Sequence, residues 1–278
     1  GHVAGSACGK NIGTSSFSTI GEERRSNYAM RIEDEEEFIA AVTTDLPYIP
    51  GYFFVDAKLN KSGASPVARV VSASLSPLST DVFTDMHNAG AIVLDTRDPM
   101  DFAAGFIPGA MNIGLNGDFA VWAGTLIAPT DRILLVCEPG KETEAVQRLA
   151  RIGYERVQGY LNGGMQAWFA ANERYDKILT LRGDECAQLT DNEGYKLLDV
   201  RNRRETAKQR ITGSLHIPLS LLKDRIDNLQ RDGKWLIYCA GGYRSMIAAS
   251  LLKAAGFHFV ASVEGGIKEV AKLSPQLV

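Results

Sequence analysis

Cys239 is the residue of this 278-residue chain whose surroundings most favour chemistry. It follows the apolar run Trp-Leu-Ile-Tyr at residues 235–238 and precedes Ala-Gly-Gly-Tyr-Arg-Ser at residues 240–245. Successive backbone N–H groups in a glycine-containing loop can curl around an anion, most effectively where a helix begins. The same N–H groups, together with the guanidinium of Arg244, favour the thiolate, which is the nucleophilic form of cysteine. The sequence therefore predicts nucleophilic chemistry at Cys239 on an anionic substrate.

The rest of this loop supplies the other candidates for the site. We expect Cys239 and Arg244 to be catalytic, and we expect substrate to be bound by Ala240, Gly241, Gly242, Tyr243 and Ser245. The alternative is a structural cysteine at the end of a buried strand, followed by a glycine turn. The arginine five positions after the cysteine favours the catalytic interpretation.

The chain contains a tandem repeat of about 103 residues. Val-Leu-Asp-Thr-Arg at residues 93–97 matches Leu-Leu-Asp-Val-Arg at residues 197–201, and Cys137 matches Cys239. The offset is 104 residues for the first pair and 102 for the cysteines, and seven such landmarks occur in the same order. This pattern indicates a duplicated domain rather than chance similarity.

Short apolar runs alternate with helix-like stretches in both copies. Such alternation predicts a parallel sheet with helices on both faces, whose ligands bind at the carboxyl ends of the strands. Both Cys137 and Cys239 directly follow an apolar run and so lie at that edge. The expected strands are residues 91–94, 133–136, 157–160, 196–200, 235–238 and 259–263, and the clearest helices are residues 144–151 and 246–255.

A set of motifs follows in order along the second copy. They are Asp-Val-Arg at residues 199–201, Glu205, Ile-Thr-Gly-Ser-Leu-His-Ile-Pro at residues 211–218, Cys-x-x-Gly-x-Arg-Ser at residues 239–245, and Glu-Gly-Gly at residues 264–266. This set strongly resembles the rhodanese (sulfurtransferase) domain, and the resemblance covers two copies from about Thr80 onward. It implies two tandem three-layer α/β/α domains, each with a mainly parallel sheet.

The resemblance also implies an activity. Cys239 would take a sulfane sulfur from a small-molecule donor, rest as a persulfide, and pass the sulfur to a thiophilic acceptor. Thiosulfate or a low-molecular-weight persulfide would be the donor, and sulfite, cyanide or a thiol the acceptor. Arg244 would steady the anionic donor, while Asp199 and Arg201 match the family's pair behind the site and would serve as scaffold.

Two other functions remain open. A related phosphatase group of the same fold has a loop one residue longer, sized for phosphate, so the shorter loop from Cys239 to Arg244 favours sulfur transfer. A non-catalytic binding or regulatory module would need a blocked cysteine loop, and the intact Gly241, Gly242 and Arg244 argue against it.

The first copy departs from the pattern at its cysteine. Residues 137–142 read Cys-Glu-Pro-Gly-Lys-Glu. Glu138 places a negative charge beside the thiol, and Pro139 has no N–H to contribute to an anion site. We therefore expect Cys137 to be inert and the first copy to be structural, with a redox or relay role as the alternative.

The N-terminal segment resembles a different family. Gly-His-Val-Ala-Gly-Ser-Ala-Cys-Gly-Lys at residues 1–10, with Ser-Thr-Ile-Gly-Glu-Glu-Arg at residues 18–24, is similar to the end of a metallo-β-lactamase-fold persulfide dioxygenase. Such dioxygenases occur fused to rhodanese domains, so the chain resembles the C-terminal part of such a fusion. The metal-binding motif His-x-His-x-Asp-His is absent from the chain. We therefore expect no metal or cofactor here, since an iron site would belong to the fused dioxygenase domain.

These observations divide the chain into three parts. Residues 1–70 would be the remnant of the metallo-β-lactamase-like domain plus a linker, since residues 60–77 are rich in Ser, Gly, Ala and Pro. Residues 71–175 would form an inactive rhodanese-like domain and residues 176–278 an active one. Residues 34–38, Asp-Glu-Glu-Glu-Phe, predict the start of a short helix in the first part.

Composition excludes several other classes of protein. The formal charge of −3 argues against nucleic acid as a partner. No apolar run is long enough to span a membrane, and the first residues lack the pattern of a signal peptide. Four cysteines without close pairing favour a reducing compartment, so we expect a cytoplasmic protein. The sequence is compatible with a homo-oligomer but does not define the oligomeric state.

Overall fold

The computed structural model describes residues 17–44, 52–63, 65–186 and 193–278. The chain divides into two compact units, Gly1–Pro50 and Gly51–Val278. The described part of the first unit contains helix α1 (Ile20–Ser26), helix α2 (Glu35–Thr43) and a 3-10 turn between them. The carboxylate of Asp34 accepts a hydrogen bond from the Glu37 N–H and caps α2. The helix start predicted from this acidic run is thereby confirmed.

The second unit contains two α/β domains in succession. The helices with described bounds are α3 (Tyr52–Ser62), α4 (Val67–Ser74), α5 (Thr80–Asn88), α6 (Pro99–Ala104), α7 (Phe119–Leu126), α8 (Glu142–Ala150), α9 (Gly164–Ala170), α10 (Arg203–Lys208), α11 (Leu219–Arg225), α12 (Tyr243–Ala254) and α13 (Gly266–Leu273). The strands are β1 (Pro77–Leu78), β2 (Ile92–Asp95), β3 (Met111–Asn112), β4 (Ile133–Val136), β5 (Val157–Leu161), β6 (Leu179–Leu181), β7 (Lys196–Asp199), β8 (Leu215–His216), β9 (Trp235–Tyr238) and β10 (Val260–Val263). In the described ranges, no helix is long and apolar enough to cross a membrane.

The two domains have the same sheet topology. The strand order is β1-β5-β4-β2-β3 in the first sheet and β6-β10-β9-β7-β8 in the second, and the described strand pairs are parallel. The central strands β4 and β9 are fully buried, because helices cover both faces of each sheet. Cys137 follows β4 and Cys239 follows β9, so both thiols lie at the carboxyl edge of their sheet, as the sequence predicts.

The segment interpreted as a linker is folded against the first domain. Helix α4 occupies residues 67–74 of it and buries Val70 and Ser74. Helix α3, which precedes α4 in the chain, places the ring of Tyr52 where a Cβ on Gly124 would lie. The linker prediction for residues 60–77 is therefore wrong over α4. Its small residues suggested a flexible chain, but the apolar residues recur at helical spacing and form one buried face.

Helix α12, which follows Cys239, lies at the interface between the two domains. Eight of its twelve residues are buried. The backbone N–H of Asn112 at the end of β3 donates a hydrogen bond to Ser250 Oγ at 3.0 Å. The ammonium of Lys253 also lies 2.8 Å from the carboxylate of Asp176, in the segment that connects the two domains between α9 and β6. The first domain is thus packed directly against the helix that begins at the cysteine loop.

Candidate active site

The loop after β9 directs a backbone N–H group at the sulfur of Cys239. Gly242 adopts a left-handed conformation with φ of +96°, which favours glycine, and its N–H donates a hydrogen bond to Sγ at 3.1 Å. Helix α12 begins at the next residue, so its first unpaired N–H groups lie beside the same loop. A Cβ on Gly241 would meet no atom within 4 Å, so the loop is open on that side. This is the arrangement expected of an anion cradle with a nucleophile at its base.

The glycine pair at residues 265–266 supports the cysteine from below. The N–H of Ile267 donates to the carbonyl oxygen of Cys239 at 2.8 Å. Gly266 has a φ of +60°, and a Cβ there would overlap that same carbonyl oxygen. Glycine is therefore required at this position both by its backbone conformation and by the close approach of the cysteine loop.

Ser245, predicted to bind substrate, is fully buried behind the cysteine. Its Oγ donates to the carbonyl of Gly242 at 2.9 Å and accepts from Ser262 Oγ at 2.9 Å. It also lies 3.7 Å from the sulfur of Cys239, within reach of a thiol hydrogen bond. Ser245 thus shapes the loop and contacts the reacting atom, but it does not face solvent.

Arg244 points from the loop toward Glu205 on helix α10. Its Nη1 and Nη2 each donate to one carboxylate oxygen at 2.7 Å. Partial burial opposes the charge of Glu205, but the hydrogen bonds and attraction from Arg244 outweigh it and lower the pKa of this carboxyl. Glu205 also accepts from the Asn202 N–H and completes the capping box of α10, which fixes its position.

Tyr243, also predicted to bind substrate, sends its side chain to the other domain. Its hydroxyl donates to the carbonyl of Gly114 at 2.8 Å. Burial, followed by the charge of Asp118, raises the pKa of Tyr243, so the hydroxyl stays a neutral donor. Its contribution to the cradle is therefore through its backbone, as is that of Ala240.

Asp199 and Arg201 form a buried ion pair beneath the loop. The guanidinium donates to both carboxylate oxygens, with the shortest distance at 2.6 Å, and to the carbonyl of Gln209. Nε2 of His216 lies 2.8 Å from the carbonyl of Arg201, and the guanidinium stacks 5.5 Å from the ring centre of Tyr238, the residue before the cysteine. This pair braces the strand ends and has the geometry of the scaffold role predicted for it.

A cleft of about 250 Å³ lies beside the loop and is lined by both domains. The second domain contributes the backbone of Gly241, Gly242 and Gly265 together with Glu264. The first domain contributes residues 98–100 and Asn116, which lie next to Tyr243. The cleft beside the cysteine loop is therefore formed by residues of both copies.

The corresponding site of the first domain has different chemistry. A cleft of about 370 Å³ contains Cys137, Glu138 and Pro139. Burial, followed by the charges of Glu142, Asp95 and Glu138, raises the pKa of Cys137 from 9.0 to about 12. The thiol is therefore protonated at neutral pH, which supports the prediction that Cys137 is not a nucleophile.

Two contacts of the site were not predicted from the sequence. The sequence does not predict the pairing of Arg244 with Glu205, although Glu205 is one of the motif positions of the second copy. The asparagine three residues before Glu205 marks a helix start and could have placed that carboxylate. The hydrogen bond from Tyr243 to Gly114 joins two separate domains, and no local sequence pattern predicts it.

Among the residues that the structure describes, no group of three or more His, Cys, Asp or Glu side chains is placed to hold a metal ion. His2 and Cys8, in the segment that resembles a dioxygenase, lie outside the described residues. The expectation that this chain carries no cofactor stays a prediction.

Comparison with known proteins identifies the repeat. A model of the rhodanese-like domain matches residues 79–171 and 183–273. A sulfurtransferase of Allochromatium vinosum is 34% identical over 80 residues, which cover 29% of this chain and 75% of that protein. The thiosulfate sulfurtransferase GlpE of Pseudomonas putida is 33% identical over 85 residues, covering 31% and 77% of the two chains.

One solved structure relates to the other resemblance. A metallo-beta-lactamase from Staphylococcus aureus is 27% identical and covers 58% of this chain and 43% of its own length, with a TM-score of 0.49. At that score the likeness carries no weight for the fusion with a dioxygenase, which stays a prediction.

Proposed function

Because the chain belongs to the rhodanese-like domain family, a family of sulfurtransferases, we propose that it transfers a sulfane sulfur through a persulfide on Cys239. The donor is thiosulfate or a low-molecular-weight persulfide, and the acceptor is sulfite, cyanide or a thiol. The observation that carries the proposal is the hydrogen bond from the Gly242 N–H to Sγ at 3.1 Å, at the start of helix α12.

The first half of the reaction loads the cysteine. The thiolate of Cys239 attacks the outer sulfur of thiosulfate, the bond between the two sulfur atoms breaks, and its electron pair leaves with sulfite. Cys239 then carries a persulfide anion. The N–H groups of the loop stabilise negative charge on the incoming and transferred sulfur, because they are fixed in place before the reaction.

The second half of the reaction transfers the sulfur from Cys239 to the acceptor. The acceptor attacks the terminal sulfur of the persulfide, the sulfur–sulfur bond breaks, and the Cys239 thiolate is the leaving group. With cyanide the product is thiocyanate. The two steps balance without an external oxidant or reductant, and the same loop serves both because negative charge stays on sulfur throughout.

The direct test is the formation of thiocyanate from cyanide, with thiosulfate and with glutathione persulfide as donors. Cys239→Ser should abolish turnover, whereas Cys137→Ser should retain it. Mass spectrometry of the wild type after donor treatment should show a gain of one sulfur on the peptide containing Cys239. Turnover that persists in Cys239→Ser would contradict the proposal.

A non-catalytic binding module is the second candidate, and the burial of the cysteine favours it. Cys239 is only 1% exposed, and Arg244 is already paired with Glu205. In that case the wild type would bind anions but accumulate no persulfide with either donor. A cysteine phosphatase is a third candidate function, and hydrolysis of para-nitrophenyl phosphate would test it.

We further propose that this activity belongs to persulfide and sulfide metabolism in the cytoplasm, in a longer protein with a persulfide dioxygenase domain. The resemblance of residues 1–10 and 18–24 to such an enzyme supports this. The dioxygenase would oxidise a persulfide to sulfite, and Cys239 would exchange sulfur between sulfite and persulfide. Oxygen uptake by a protein extended upstream of residue 1, with glutathione persulfide as substrate, tests the fusion.

A further inference from the structure

We infer that the first domain holds the Cys239 loop in its anion-binding shape through Tyr243, which is a positioning residue. Tyr243 lies between Gly242, whose N–H donates to the sulfur, and Arg244. Its hydroxyl donates to the carbonyl of Gly114, 129 residues earlier in the chain. The backbone of the active loop is thereby tied to a surface that belongs to the other copy of the repeat.

The loop of the first domain that contacts Tyr243, here called the receiving loop, is residues 113–118 between β3 and α7, and it is shaped for the tyrosine ring. A Cβ on Gly117 would overlap the ring of Tyr243. Gly117 is absent from the glycines with positive φ, so its backbone does not itself require glycine. The ring is what excludes a side chain there. Gly114 is similarly close, since a Cβ on it would lie 3.5 Å from the ring.

That receiving loop is itself fixed by a helix of the first domain. Arg148 on α8 donates to the carbonyls of Leu115 at 2.6 Å and Gly117 at 3.2 Å. Helix α8 follows Cys137 as α12 follows Cys239, so the two equivalent helices are linked through Arg148, the receiving loop and Tyr243. The first copy thus supports the cysteine loop of the second copy.

The hydrogen bond from Tyr243 to Gly114, here called the tie, should help the N–H groups of the cysteine loop to point together at an anion. Without the tie, the loop has more conformations, and fewer of them direct the N–H groups toward a negative charge. The inference rests on the proposed function only in taking the loop as the site of an anionic donor. A reagent that reports charge at Cys239 tests it without requiring sulfur transfer.

The experiment compares alkylation of Cys239 by iodoacetate and by iodoacetamide, resolved by peptide mass spectrometry. The two reagents share the thiolate and the access route, so the ratio of their rates reports attraction of an anion. In Tyr243→Phe and in Gly117→Ala, this ratio should fall by about threefold or more, because the tie is lost in both. The double variant should fall no further than the larger single effect, since both changes act through one contact.

Phe83→Leu is the control, because it removes packing in the core of the first domain beside Trp168 without touching the receiving loop. Its ratio should equal that of the wild type. Unchanged ratios in folded Tyr243→Phe and Gly117→Ala would overturn the inference, as would an equal fall in Phe83→Leu. A fall confined to the two loop variants supports it even where the wild type transfers no sulfur, so failure of the proposed function is seen separately in the thiocyanate assay.

Discussion

Both amino groups of the Arg244 guanidinium donate hydrogen bonds to the carboxylate of Glu205, at 2.7 Å each. The pair is only partly buried, with side-chain exposures of 19% and 29%. The cation that should attract an anionic donor is therefore neutralised in the resting protein. Under the proposed function, a donor would have to share Arg244 with Glu205 or displace it, and we expect this carboxylate to limit how strongly the loop binds dianions.

Replacing Glu205 by Gln should strengthen the response to anions. Glutamine can still accept from the Asn202 N–H and keep the capping box, but it no longer neutralises Arg244. We expect the ratio of iodoacetate to iodoacetamide alkylation at Cys239 to rise, and KM for thiosulfate to fall, by about fivefold, corresponding to about 1 kcal/mol for a partly exposed pair. Steady-state kinetics and the alkylation rates measure the two effects.

The control for that variant is Asp227→Asn, which breaks an exposed ion pair with Arg231 in the same domain and removes the same unit of charge. It should leave both quantities unchanged. If Glu205→Gln behaves like Asp227→Asn, the carboxylate does not limit the binding of anions.

Cys137 should make the stability of the protein depend on pH in alkali. Its pKa is about 12 in the folded protein, whereas the unfolded thiol ionises near its ordinary value of 9.0. Below pH 9 both states keep the proton. Between pH 9 and 12 the unfolded state loses it first, so the free energy of unfolding should fall as pH rises, with a slope of up to about 1.4 kcal/mol per pH unit from this group.

Urea unfolding at pH 8, 9.5 and 10.5 measures this slope, and Cys137→Ala should flatten it. Cys186→Ala should flatten the slope as well, and slightly less at pH 10.5, because burial raises the pKa of Cys186 only to about 11. A Cys137→Ala protein with the slope of the wild type would contradict the assignment of a protonated, buried thiol.

The ion pair behind the site should contribute to stability far more than surface pairs do. Arg201 is 3% exposed and Asp199 is 0% exposed, so Arg201→Leu would leave an unpaired charge in the interior. We expect it to lower the free energy of unfolding by about 3 kcal/mol or more. Arg182→Leu, which removes an exposed pair with Asp184, should cost less than about 1 kcal/mol. Equal losses of unfolding free energy in the two variants, measured with denaturant, would contradict the prediction that the buried pair stabilises the fold.

The strands that position the site could be predicted closely from the sequence. The predicted bounds of β4 and β9 match the structure, and that of β7 differs by one residue. The reason is physical: strands buried on both faces of a parallel sheet are continuous apolar runs, which have sharp ends. The placement of Cys239 at the carboxyl edge followed from this alone.

The contacts that tune the site could not be predicted in the same way. The pairing of Arg244 with Glu205 joins residues 39 apart, and the seat of Tyr243 on Gly114 joins residues 129 apart. The first contact depends on how two helices of one domain pack and the second on how the two domains pack, and neither periodicity nor spacing encodes such packing. The linker prediction over α4 is wrong for a different reason, since a composition typical of linkers coincides there with a short amphipathic pattern.

Gly266 provides a test of how closely the cysteine loop is supported. Gly266→Ala introduces a methyl group that would overlap the Cys239 carbonyl, at a residue with φ of +60°. Gly213→Ala is a matched control, because φ there is +76° but no atom lies within 4 Å of the added Cβ. Both variants should pay the backbone strain of roughly 1 kcal/mol. Only Gly266→Ala should also displace the loop, lowering kcat for thiocyanate formation by about tenfold or more. Equal kcat values in the two variants, with equal thermal stability, would show that the loop does not depend on this close approach.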